Sequence, residues 1–82
     1  MTLAELPNLG PASARMLVEA GIETPEALRG LGAAFTYRVL RHRHGRRVNA
    51  VFLYALAGAL ADRHWASFSP DERAALRASA ED

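Results

Sequence analysis

The segment over residues 6–24, LPNLGPASARMLVEAGIET, constrains the fold of this 82-residue chain more than any other stretch. It opens with a tight turn, in which Asn8 and Gly10 are the residue types that most readily adopt positive φ. A helix follows directly, because Pro11 suits the first helical position and small or apolar residues recur at helical spacing. Gly21 then fits the left-handed cap that ends a helix. The segment predicts a sharp turn followed by a capped helix.

The rest of the chain also shows helical periodicity, and no stretch alternates with a period of two for long enough to form a strand. Thr24 and Ser69 are predicted N-caps, each followed by proline, and Glu72 stands where a capping box with Ser69 requires it. The predicted helices cover about residues 3–6, 11–20, 25–30, 33–43, 48–61 and 70–78, and the fourth of them frays into a glycine-centred loop over residues 44–47. Side chains predicted to face the core include Leu17, Val18, Leu28, Leu31, Phe35, Val39 and Leu40. We expect an all-α fold, a small bundle of five or six short helices in one domain over residues 1–82.

The helix predicted over residues 48–61, VNAVFLYALAGALA, is the most hydrophobic element and is apolar on every side. A helix of this kind is either central in a fold or shared with a partner. Ala55, Gly58 and Ala59 would allow neighbouring backbones to approach closely. The sequence therefore predicts a buried core helix, with a homodimer face as the alternative.

Positive charge is concentrated in one short segment. Residues 38–47 contain five arginines and no acid, a charge of +5, whereas the whole chain carries only +1. These residues are Arg38, Arg41, Arg43, Arg46 and Arg47. Three interpretations fit: contacts with successive nucleic-acid phosphates, a solvated face that complements the C-terminal end of a helix, or docking onto an acidic protein surface.

The composition argues against several classes of site. Cysteine is absent, which excludes disulfides and thiolate chemistry, and the histidines at 42, 44 and 64 are not spaced to converge on a metal. As candidate nucleophiles, Ser13, Thr36, Ser67 and Ser69 are interpreted as lacking a nearby base in the sequence, and Ser69 is explained as a helix cap. We therefore predict no catalytic residue, no metal and no cofactor, and do not expect an enzyme. No apolar run approaches the ~18 residues of a membrane helix, so we expect a cytoplasmic protein that does not bind a membrane.

The first segment resembles the helix-hairpin-helix family, in which a turn joins two helices. The matching residues are Leu6, Pro7, Leu9, Gly10, Ala14, Leu17, Gly21 and Ile22. This resemblance implies that the backbone amides of Leu9 and Gly10 could hold a phosphate. Free N–H groups and the helix dipole both favour an anion at that position.

A second resemblance covers residues 5–77. The run from Leu53 to Leu60, LYALAGAL, followed by His64-Trp65, is similar to the C-terminal domain of the TfoX (Sxy) family of DNA-transformation regulators. The resemblance implies a regulator of competence gene expression that acts with a transcription activator or RNA polymerase and contacts DNA. The alternative function is a protein-interaction or homodimerisation module that binds no nucleic acid.

Overall fold

The computed structural model describes residues 2–81, which form five α-helices and no strand. The helices are α1 (Pro11–Glu19), α2 (Pro25–Leu31), α3 (Ala33–His44), α4 (Ala50–Ala61) and α5 (Pro70–Glu81). Three single turns of 3-10 helix, Leu3–Glu5, Gly45–Arg47 and Trp65–Ser67, lie in the connections. The prediction of an all-α bundle is confirmed.

The helix starts follow their capping residues. The Thr24 hydroxyl accepts a hydrogen bond from the Ala27 N–H at 3.0 Å and caps α2. At α5, the Glu72 N–H donates to the Ser69 hydroxyl at 3.1 Å, and the Ser69 N–H donates to the Glu72 carboxylate at 2.8 Å. Both caps and the capping box are therefore confirmed.

Helix α4 starts later than predicted. The Asn49 side chain accepts from the Val51 N–H at 3.0 Å, so Asn49 is the N-cap and the helix begins at Ala50. Val48 precedes the helix and is fully buried. The helix was predicted to begin at Val48 because the apolar pattern extends to that residue. The start is instead determined by the capping residue, Asn49.

The first predicted helix is only the 3-10 turn Leu3–Glu5, so a helix-hairpin-helix unit is not confirmed. Asn8 adopts positive φ, 69°, as predicted for the turn. Gly10, in contrast, is extended, with φ −101°, and serves as the N-cap of α1. The turn before α1 therefore needs one left-handed residue, which is Asn8.

Helix α4 lies at the centre of the bundle and packs against both α3 and α5. Its buried residues are Leu53, Tyr54, Ala55, Leu56, Gly58 and Ala59. Leu17 and Leu28 bring α1 and α2 onto the same core, and Leu40 does so for α3. The prediction that this apolar helix is buried is thus confirmed. None of the helices within residues 2–81 has the length and apolar character needed to cross a membrane.

Three side chains predicted to face the core are exposed. Val18 and Phe35 are each 47% exposed and Leu31 is 43% exposed. On α3 the buried stripe runs through Thr36, Tyr37 and Leu40, which places Phe35 outside it. The periodic pattern was compatible with more than one rotation of this helix, and packing selected the one that buries Thr36 and Tyr37.

Candidate functional site

The five arginines predicted as a site, which we call the arginine-rich surface, are all solvent-exposed. Arg38, Arg41 and Arg43 lie on α3, and Arg46 and Arg47 lie in the 3-10 turn that follows it. Gly45 joins the two parts with φ 61°, a conformation that suits glycine. Acidic residues are absent from residues 27–61, and the acidic residue Glu81 of α5 lines the same cavity as Arg41.

These arginines flank α3 on two sides. Arg38 and Arg43 line a shallow groove of about 390 Å³, which we call the α1–α3 groove. Its other lining residues are Ala20, Phe35, Val39 and His42. Arg41 lines a different cavity of about 340 Å³ between α3, α4 and α5, together with Tyr37 and Arg77. A single flat ligand would therefore not reach all five guanidinium groups.

The arginines also differ in how they are held. The Arg41 guanidinium donates to the Tyr37 hydroxyl at 2.7 Å, and that of Arg38 lies 5.9 Å from the centre of the Phe35 ring. Within residues 2–81, no hydrogen bond or ion pair engages the guanidinium groups of Arg43, Arg46 and Arg47. These three cations are available to an anion from outside the domain.

The backbone amides of Leu9 and Gly10, which were also predicted as part of the site, lie at the N-terminal end of α1. Leu9 is buried, and its N–H donates to the Leu6 carbonyl at 3.3 Å, so this amide is already used inside the turn. Gly10 is exposed at the start of α1, whereas Ala20, at the end of that helix, lines the α1–α3 groove. A helix of this length separates the two sites by roughly 14 Å.

Asn8 has a second role that its turn position did not indicate. Its side-chain N–H₂ donates to the Arg63 carbonyl at 2.8 Å and to the Ala55 carbonyl at 3.3 Å. Its side-chain oxygen accepts from the Trp65 N–H at 3.1 Å. We call this group the Asn8 junction. It ties the N-terminal turn to α4 and to the chain that leaves α4.

Gly58 makes the Asn8 junction possible. A Cβ atom at this position would overlap the Arg63 carbonyl oxygen and the Asn8 side-chain nitrogen. The Arg63 N–H donates to the Gly58 carbonyl at 2.8 Å, which closes the end of α4. Asp62 makes the turn with φ 57°, in the left-handed region. The glycine is therefore required by a close approach of backbone and side chain.

Arg63 fastens the connection between α4 and α5. Its guanidinium forms an ion pair with Glu72 at 2.8 Å and lies 4.2 Å from the centre of the Phe68 ring. The hydrogen bond from Arg63, followed by the one from the Ser69 backbone, lowers the pKa of Glu72 from 4.5 to about 2. The same hydrogen bond raises the pKa of Arg63. Both side chains are charged at neutral pH.

Tyr54 and Trp65 contact α5 through arginines. The Arg77 guanidinium donates to the Tyr54 hydroxyl at 2.5 Å. The Arg73 guanidinium lies 5.3 Å from the Tyr54 ring centre and 6.0 Å from that of Trp65. The distinctive sequence run around Tyr54 to Trp65 therefore builds the interior and the α5 contact. Spacing could not reveal this, because the hydrogen bond from Arg77 to Tyr54 joins positions 23 apart in the chain.

The described part of the chain offers no metal centre. Residues 2–81 contain no group of three or more histidine, cysteine, aspartate or glutamate side chains that could hold a metal ion. The candidate site is thus an exposed cationic surface with an adjacent groove.

Comparisons with known proteins agree with the second resemblance. The chain is 28% identical over 74 residues to the DNA transformation protein TfoX1 of Aliivibrio fischeri. The alignment covers 90% of this chain and 35% of that protein, so the chain spans about a third of the length of this relative.

Two crystal structures from Listeria monocytogenes have a similar fold. A triclinic form of an uncharacterized protein is 30% identical with a TM-score of 0.87, covering 94% of this chain and 86% of that one. A tetragonal form of a protein of unknown function is 29% identical with a TM-score of 0.86, covering 96% of each chain. The family model of the TfoX C-terminal domain matches residues 1–80. This chain therefore belongs to the TfoX C-terminal domain family.

Proposed function

We propose that this domain is a non-enzymatic accessory module in the regulation of DNA transformation, and that it contacts DNA through Arg43, Arg46 and Arg47 of the arginine-rich surface. The observation that carries this proposal is the set of three exposed arginines, Arg43, Arg46 and Arg47, whose guanidinium groups have no partner within residues 2–81. Membership of the TfoX C-terminal domain family supports the link to transformation.

The electrostatics favour a polyanion as the ligand. Arginines at the C-terminal end of α3 complement the helix dipole, but that effect falls off within one turn and does not account for Arg46 and Arg47. Arginine binds phosphate with two parallel hydrogen bonds, and contacts of this kind set affinity without selecting sequence. The surface is therefore suited to positioning the domain on a nucleic-acid backbone.

Fluorescence anisotropy of a labelled duplex across a salt series tests the proposal. If Arg43, Arg46 and Arg47 each neutralise one phosphate, log K falls against log salt with a slope of about −2.7. Replacing all three with glutamate is expected to abolish binding. Absence of binding by the unmodified protein at low salt would contradict the proposal.

A charge-matched control separates a local site from a general effect of net charge. The double variant Arg46→Glu with Arg47→Glu and the double variant Arg15→Glu with Arg29→Glu change the total charge equally. Arg15 and Arg29 are also exposed, but lie on α1 and α2. Only the first double variant is expected to lose most of the affinity. Equal losses would indicate that the arginine-rich surface is not the binding site.

A protein partner is the second candidate, favoured by large apolar side chains on the surface. Val18, Leu31, Phe35 and Val51 are each more than two-fifths exposed. Such side chains are suited to contact a transcription activator, RNA polymerase or a second copy of this chain. Light scattering tests the last of these: a monomer at high concentration would exclude a homodimer. This function predicts no salt-dependent binding of DNA.

A further inference from the structure

Phe35 is an exposed aromatic side chain near the N-terminal end of α3, in the groove that Arg38 and Arg43 also line. Its ring is 47% exposed and lines the α1–α3 groove, beside Val39 and Ala20. Tyr37, the other aromatic residue of α3, is 7% exposed and is covered by the bundle. Phe35 is thus the aromatic residue of α3 that a ligand can reach.

The residues that line this groove are either positively charged or uncharged. Arg38 and Arg43 line it, His42 lies between them, and none of its lining residues is acidic. Arg46 and Arg47 continue the positive surface beyond the end of α3. An anionic ligand with a flat apolar part would match both the groove and its rim.

We propose that the α1–α3 groove binds an unpaired segment of DNA, with one base stacked on the Phe35 ring and the neighbouring phosphate on Arg43. This inference rests on the proposed DNA contact and specifies the form of the DNA. Proteins that bind single strands combine a positively charged groove with aromatic side chains on which bases stack, and this groove offers one such side chain beside two arginines.

The strand must be unpaired for a geometric reason. In a duplex each base face is covered by the next base pair, so only an unstacked base can present its face to Phe35. The Arg38 guanidinium, 5.9 Å from the ring centre, is planar and can extend the stack on which that base rests. Duplex DNA would contact the arginines alone, through its phosphates.

Anisotropy with an oligothymidylate and a duplex of matched length tests the inference at one salt concentration. We expect the unmodified protein to prefer the single strand. Phe35→Leu keeps an apolar side chain but removes the aromatic face, so it is expected to weaken single-strand binding on the order of tenfold and leave duplex binding unchanged. Phe35→Trp is expected to retain the preference. Its indole emission, measured above the background of Trp65, should be quenched on binding.

Val51→Ala is the matched control, because Val51 is similarly exposed, at 44%, but lies on α4 outside the groove. It is expected to change neither affinity. Thermal melts establish that each variant is folded. We expect the Phe35 variants to fold, because this exposed side chain contributes little to the core.

The outcomes separate this inference from the proposed function. Duplex binding with no single-strand preference, or equal effects of Phe35→Leu on both ligands, would overturn stacking and leave the DNA contact in place. Binding of neither DNA at low salt would overturn both. If an acidic amphipathic peptide bound in the groove with Phe35 dependence, while oligothymidylate did not bind, the groove would be assigned to a protein partner and the inference rejected.

Discussion

The Asn8 junction and the arginine-rich surface use polar side chains in opposite ways. At the junction, every polar atom of the Asn8 side chain is hydrogen-bonded to backbone, and the space around Gly58 is filled. At the surface, the guanidinium groups of Arg43, Arg46 and Arg47 have no partner within residues 2–81. One region holds the fold together, and the other is open to a ligand.

This contrast shows that a distinctive sequence pattern need not mark a binding site. The run from Leu53 to Leu60, followed by His64-Trp65, carries the resemblance to the family, yet the side chains of Tyr54 and Trp65 are engaged in contacts within the bundle. The arginine segment is less distinctive as a motif, but its groups lack internal partners. Four measurements would sharpen or break the distinction between the two regions.

The largest effect is expected for Gly58→Ala. The added methyl group would overlap the Arg63 carbonyl and the Asn8 side chain, so the end of α4 or the turn must shift. We expect a loss of about 3 kcal/mol in the free energy of unfolding, or roughly 15 °C in Tm, measured by thermal and urea denaturation. Gly30→Ala is the control, because nothing lies within 4 Å of a Cβ there. It is expected to stabilise α2 by about 0.5–1 kcal/mol. Equal effects of the two changes would contradict the close packing at Gly58.

A smaller loss, about 2 kcal/mol, is expected for Asn8→Ala, because it leaves the Trp65 N–H and two carbonyls without their partner. The substitution also places alanine at φ 69°. Asn8→Gly separates the two causes, since glycine tolerates this φ but cannot form the hydrogen bonds. If Asn8→Gly were as stable as the unmodified protein in urea denaturation, the hydrogen bonds of the junction would contribute nothing.

An acid titration is expected to reveal the Arg63–Glu72 pair. The pKa of Glu72 is lower in the folded state, about 2, than its ordinary value of 4.5. The stability that this carboxylate contributes is therefore complete above pH 4.5 and is lost as the pH falls toward 2. Glu72→Gln should flatten this part of the stability profile. A profile unchanged by the substitution would show that the pair does not contribute.

The smallest effect on stability is expected at the open surface. Replacing Arg43, Arg46 and Arg47 together with glutamine should change the free energy of unfolding by no more than about 0.5 kcal/mol, because their guanidinium groups have no internal partner. Urea denaturation measures this directly. A large destabilisation would mean that these arginines belong to the structural region.

Local signals in the sequence predicted the helices well. Thr24, Ser69 and Glu72 marked helix starts because capping depends on residues three apart, and the uniformly apolar α4 favoured an interior position over a homodimer face. The segment before α1 was predicted as a helix and is a single 3-10 turn. Residues 3–6 offer too few positions to distinguish a turn from a helix.

The arrangement of side chains in space was harder to predict. Phe35 and Leu31 were expected in the core and are exposed, since the rotation of a short helix depends on its neighbours. The two-sided placement of the arginines around α3 follows from that rotation. The role of Asn8 depends on partners on distant segments, which no local pattern indicates.

The Asn8 junction also has a consequence for biosynthesis. Its two acceptors and one donor belong to residues 55, 63 and 65, so the Asn8 side chain has none of these partners until most of the chain has been synthesised. A nascent chain that ends before Trp65 lacks the donor to the Asn8 side-chain oxygen. The ribosome must therefore release residues 55–65 before the Asn8 side chain can form its hydrogen bonds.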